Sequence, residues 1–214
     1  MGRPTAALLL LLPALAAGCG RLGPRQIDLG RFEGPVFVHD GFGMRLPFPA
    51  DWSIVPRETA AQVEEAGRRN LSGRAGSPDP YSAAGGATSH TLFTVYRYPL
   101  GSGHGLNPSL IGGLEDVATR PQVRTPIDYL QMMQSFLGRS GTPMRFDAIV
   151  PSALLGGQEF AVMPATVQMG SQPIGQIYYC RRIEDQMLTI IATFATPEQW
   201  SEIEAVLAGL TLAR

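Results

Sequence analysis

The stretch "LLGGQEFAVMPATVQMGSQPIGQIYYCRRIEDQMLTIIATFATPEQW", residues 154–200, decides the fold. Four strands are predicted in and just before it, at 144–151, 158–169, 173–183 and 187–194. Short turns at Gly156-Gly157, Gly170-Ser171 and Glu184-Asp185 separate them, so the pattern is that of an antiparallel meander. In the last strand Leu188, Ile190, Ala192 and Phe194 alternate with Met187, Thr189, Ile191 and Thr193. Both sets are largely apolar, so this strand is expected at the centre of a sheet covered on both faces.

A helix closes the stretch. Thr196-Pro197-Glu198-Gln199 is a capping box with proline at the first helical position. Trp200, Ile203, Val206-Leu207 and Leu210 then form one apolar stripe. Upstream, Thr125-Pro126-Ile127-Asp128 opens a second helix. Ile127, Leu130, Met133 and Phe136-Leu137 recur at helical spacing until Gly138 or Gly141 ends it.

The remaining elements are shorter. The folded part is expected from Val36, with one or two strands, a turn at Pro49-Ala50-Asp51 and a strand from Trp52. A helix with a thin apolar face is predicted at 58–69, and a Gly/Ser/Pro/Ala loop at 70–90. Strands follow at 91–99 and around 109–117. The fold class is α+β, an antiparallel sheet flanked by helices in an α/β/α sandwich.

The N-terminus carries a different message. Met1-Gly2-Arg3 is followed by an apolar run from Ala6 to Ala17, then by small residues and Cys19. A charged start, a short apolar core and a small-residue cut site make a secretory signal. The run is too short to span a bilayer, which takes about 20 residues. Leu15-Ala16-Ala17-Gly18-Cys19 resembles the lipobox of bacterial lipoproteins, with Leu15 one place earlier than the usual position. The resemblance implies a signal peptide at 1–18, lipid on Cys19 and an anchor facing the periplasm. Palmitate-type acyl chains would hold the protein there, because each buried methylene contributes about 0.8 kcal/mol. Gly20 favours the outer membrane by analogy. Residues 19–35 read as the lipidated cysteine and a flexible tether, and 36–214 as a single domain.

Composition bounds the function. Removing residues 1–18 leaves 196 residues, enough for one well-cored domain. Arg3 goes with them, leaving 16 basic residues, all Arg, against 18 acidic ones, a net charge of about −2. Nucleic-acid binding is not indicated. With Cys19 lipidated, Cys180 is the remaining thiol and is expected to be a buried, inert strand residue.

The strand and helix order is similar to the PsbP/Mog superfamily, which includes bacterial envelope lipoproteins of the DcrB type. "GFGMRLPFPADW" at 41–52, "NPSLIGGLED" at 107–116, "PIDYL" at 126–130 and most of 154–212 carry the resemblance. It implies a sheet with helices on both faces and no single activity, since members of that group mostly bind proteins or stabilise complexes.

No catalytic signature is present. His39, His90 and His104 form no HExxH and pair with no cysteine. A metal site from His39, Asp40 and His104 can be drawn, but surface or loop histidines are the expectation. "GSGHG" at 101–105 lacks the GK[ST] of a phosphate loop, and no G-x-S-x-G elbow occurs. Glu115 and Asp116 adjoin without facing each other, as a turn or solvated edge would have them. No enzyme activity, cofactor or metal is therefore expected.

Two binding readings remain. The first is a membrane-anchored protein-binding or complex-assembly module with an envelope protein as partner. Tyr178, Tyr179, Arg181 and Arg182 are its candidate contact patch. The second is a carrier or sensor of a small apolar ligand held between sheet and helix among Met132, Met133, Phe136, Met163 and Met169.

Overall fold

The computed structural model describes residues 27–62, 89–103, 105–139 and 141–213. Cys19, His104 and most of the 70–90 loop lie outside these residues, as does the end of the helix expected at 58–69. Residues 57–62 are helical.

The architecture is α+β. A small sheet comes first: β1 (Arg31–Glu33), β2 (Val36–His39) and β3 (Met44–Pro47), paired in that order and antiparallel. The main sheet follows. Its strands are β4 (Ser53–Ile54), β5 (Ser89–Tyr96), β6 (Ser109–Asp116), β7 (Met144–Phe146), β8 (Val150–Leu155), β9 (Gln158–Met169), β10 (Gln172–Ile183) and β11 (Gln186–Phe194). Their order is β4-β5-β6-β11-β10-β9-β7, with β8 also on β9. Besides the helical residues 57–62 and a 3-10 turn at Asp40–Phe42, two helices stand among the described residues, α1 (Pro126–Arg139) and α2 (Pro197–Leu207).

The predicted meander is present, and β11 is central, between β6 and β10. Its two faces enter two different cores. Leu188, Ile190 and Ala192 face Phe93, Leu110, Val162 and Tyr179, under α2 and the small sheet. Met187 and Ile191 face Ala161, Met163, Tyr178 and Cys180, under α1. The alternation that marked this strand as central is thus the division between two layers.

Capping sets both helices. The Thr196 hydroxyl accepts from the Gln199 N–H at 3.3 Å, and Gln199 Oε1 accepts from the Ala195 N–H at 2.7 Å. Thr125 Oγ1 accepts from the Asp128 N–H at 3.1 Å, while the Asp128 carboxylate accepts from the N–H groups of Thr125 and Arg124 at 2.8 and 3.0 Å. Those bonds hold the Asp128 carboxyl below its ordinary pKa, since they favour the charged form.

Two expectations need correction. The strand expected at 144–151 is broken into β7 and β8, which pair with successive parts of one edge of β9. Pro164 lies in β9 opposite the break and has no N–H to give to the ladder. Its carbonyl accepts from the Asp147 N–H, and the partner chain leaves register over 147–149. The tether expected at 19–35 also ends early. Ile27, Leu29 and Phe32 pack on the core, and residues 31–33 form β1. The Arg57 guanidinium donates to the carbonyls of Leu29 and Gly30 at 3.1 and 3.3 Å, which ties this segment down.

Candidate functional site

The layer between the main sheet and α1 is incompletely filled. Met163 and Leu130 are fully buried at one end of it. Toward β5 the layer opens into a cavity of about 240 Å3. Register decides which side chains form its floor. Thr91 pairs with Gly113, Thr94 with Ile111, Gly113 with Thr189 and Ile111 with Ile191. Paired residues share a face, so Thr91, Thr94, Ile111, Gly113, Thr189 and Ile191 all point toward α1. Tyr129 and Met133 of α1 form the roof, and Val55 and Ala60 close one side.

Two adjacent glycines divide this region. A Cβ on Gly112 would lie 2.2 Å from the Phe93 ring on the opposite face, so that position admits no side chain. A Cβ on Gly113 would meet only Thr189 Oγ1 at 3.5 Å and the His90 carbonyl at 3.8 Å, both ordinary contacts. The missing side chain at Gly113 therefore leaves space on the cavity floor. A glycine inside a strand is the sequence signal that could have marked the place.

A buried charged network abuts the cavity. Glu115 and Arg120 are 3% and 6% exposed, and Arg120 Nη2 lies 2.8 Å from Glu115 Oε1. The angle of that contact does not make it a hydrogen bond, so the pair is held by charge. The Tyr129 hydroxyl donates to Glu115 Oε2 at 2.6 Å, and Arg120 Nη1 donates to Met132 Sδ at 3.0 Å. Glu115 is thus a paired interior carboxylate, not the solvated edge its neighbour Asp116 suggested. The carboxylate also bears on Cys180, whose thiol pKa is pushed up first by burial and then by the charge of Glu115. The expectation of a buried, inert strand cysteine fits this placement.

The four residues of the candidate contact patch do not form one continuous surface: the tyrosines are buried and the arginines are partly exposed. Tyr178 and Tyr179 are 4% and 8% exposed and enter opposite cores. The Tyr178 hydroxyl donates to Gln176 Oε1 at 2.7 Å. Arg182 donates to the carbonyls of Arg124 and Glu184, each at 2.7 Å, and thereby fastens the approach to α1. Arg181 donates to the Glu159 carbonyl at 3.2 Å on the other face. Strand alternation separates the four residues, and sheet packing and loop anchoring occupy them.

The histidines also differ from expectation. His39 is buried, stacked on Phe42 at 4.0 Å, with Nε2 2.9 Å from the Asp28 carbonyl oxygen. Asp40 pairs with Arg31 at 2.6 Å. His104 lies outside the described residues, so the metal site drawn from it has no described geometry. Among the described residues no three His, Cys, Asp or Glu groups gather as metal ligands. No described helix is long and apolar enough to cross a membrane.

Of the methionine set expected to hold an apolar ligand, Met133 lines the cavity and Met163 fills the core beside it. Met132 packs in the same layer. The hydroxyl-bearing floor of Thr91, Thr94 and Thr189 was not read from the sequence.

No family model matches the chain, and no curated protein matches it. Among solved structures, LpqN of Mycobacterium tuberculosis, described as involved in cell envelope biogenesis, aligns at a TM-score of 0.44 and 14% identity. That alignment covers 80% of this chain and 83% of LpqN. Cyanobacterial PsbP (CyanoP) of Synechocystis sp. PCC 6803 aligns at 0.47 and 13% identity, over 92% of this chain and 98% of that one. Strand order and register, rather than these likenesses, define the fold described above.

Proposed function

We propose that this chain is a lipid-anchored, non-catalytic binding module of the bacterial cell envelope, and that it binds a small, largely apolar molecule between the main sheet and α1. The cavity is the observation that carries the reading. Its volume of about 240 Å3 exceeds the roughly 150 Å3 of an engineered cavity that binds benzene. It falls just short of the roughly 300 Å3 where pockets for drug-sized ligands begin. Ile111, Ile191, Val55 and Met133 supply apolar wall. The protein-docking reading has lost its patch, because Tyr178 and Tyr179 are interior. An envelope protein partner retains a place as the donor or acceptor of the ligand.

The anchor rests on the lipobox-like residues ending at Cys19. Cys19→Ala is expected to release the protein from the membrane fraction, and retention there would remove the lipid from the account.

Calorimetric titration of the whole chain with toluene tests the cavity. Gly113→Val puts two methyl groups on its floor at a position free of backbone strain. Wild type is expected to bind toluene one to one, and the folded variant at least tenfold more weakly. Equal binding by the two would place toluene elsewhere and end the reading.

A further inference from the structure

The cavity wall is two-sided, and its polar side points to the ligand's chemistry. This inference rests on the binding reading above and goes further, to the kind of molecule bound. Thr94 is 7% exposed, and its register with Ile111 aims it at the cavity. Its backbone carbonyl accepts from the Val55 N–H at 3.0 Å. Its hydroxyl has no hydrogen-bond partner among the described residues, although the residue lies against the cavity. Across the floor, the Thr189 hydroxyl reaches the Gly113 carbonyl only at 3.5 Å, the outer limit of a hydrogen bond. A hydroxyl that faces the cavity can donate one hydrogen bond to an occupant and accept another, which a methyl group in the same place cannot.

We infer that the cavity takes a small amphiphile, an apolar body carrying one hydroxyl or carbonyl group, and that Thr94 is the residue that selects for this group. The apolar body lies against Met133, Ile111 and Ile191, and the polar group meets the Thr94 hydroxyl, with Thr189 as a second partner.

The test is a matched pair of probes, toluene and benzyl alcohol, which differ by one hydroxyl. Their dissociation constants are measured for the whole chain as wild type, Thr94→Val and Thr94→Ser. Thr94→Val keeps the shape and removes the hydroxyl. A bound alcohol whose partner is removed loses roughly tenfold in affinity. The expected result is that benzyl alcohol weakens about tenfold in Thr94→Val and toluene changes less than twofold. Thr94→Ser should stay near wild type for both. Toluene binding with an unchanged ratio in Thr94→Val would overturn the assignment of Thr94 and leave the cavity reading standing. No binding of either probe to wild type would overturn both. If Thr94→Val does not fold, Thr94→Ala serves, because the ratio of the two constants is the readout.

Discussion

The Tyr129 hydroxyl donates to the Glu115 carboxylate at 2.6 Å, across the layer that joins α1 to the main sheet. The bond links the roof of the cavity to the buried ion pair beside it. Removing Arg120 would leave Glu115 as an uncompensated interior charge. Arg120→Ala is therefore expected to lose about 3–5 kcal/mol of unfolding free energy. Tyr129→Phe, which removes a hydrogen bond to a charged group, is expected to lose roughly 1.5–3 kcal/mol. Urea titration reads both, and a loss below about 1 kcal/mol for Arg120→Ala would show that the pair is not part of the folding core.

Cys180 gives a chemical reading of the same layer. It is fully buried, and burial followed by the Glu115 charge pushes its thiol pKa up, away from the reactive thiolate. Cys180 is expected to resist a maleimide reagent at pH 8 in the native protein and to react completely in urea. Rapid native labelling, mapped to Cys180 by peptide mass spectrometry, would mean that the α1 layer opens.

Tyr179 supplies a pH dependence. Its pKa is pushed up to about 12 from 10.0, by burial first and then by the charge of Glu204. Below pH 10 the phenol is protonated in both the folded and the unfolded chain and contributes no pH dependence. Between pH 10 and 12 the unfolded chain gives up this proton first, so stability falls as pH rises. At about 1.4 kcal/mol per unit, the loss amounts to roughly 2–3 kcal/mol at the upper end. Tyr179→Phe should remove that share of the alkaline loss, and an unchanged alkaline limb in the variant would contradict the assignment.

The sequence disclosed the elements whose residues act locally. The β9–β10–β11 meander was legible because its turns carry glycine or Glu-Asp and because β11 alternates between two apolar sets. Both helices announced themselves through Thr-Pro starts. What stayed hidden depends on residues far apart in the chain. Nothing local shows that Pro164 interrupts its neighbour at 147–149, or that Arg57 pins residues 29 and 30. Tyr178 and Tyr179 looked like a surface because alternation tells which residues share a face but not what covers it. The cavity was hidden for a related reason. Its floor gathers Thr94, Gly113 and Thr189 from three strands, and small or hydroxyl-bearing residues carry no periodic signal.

The most direct measurement is a crystal structure of the chain grown with toluene. The account predicts toluene between Met133 and the floor of Ile111, Gly113 and Ile191, with Thr94 at the edge of the molecule. A cavity closed by its own side chains, with toluene elsewhere or nowhere, would contradict it.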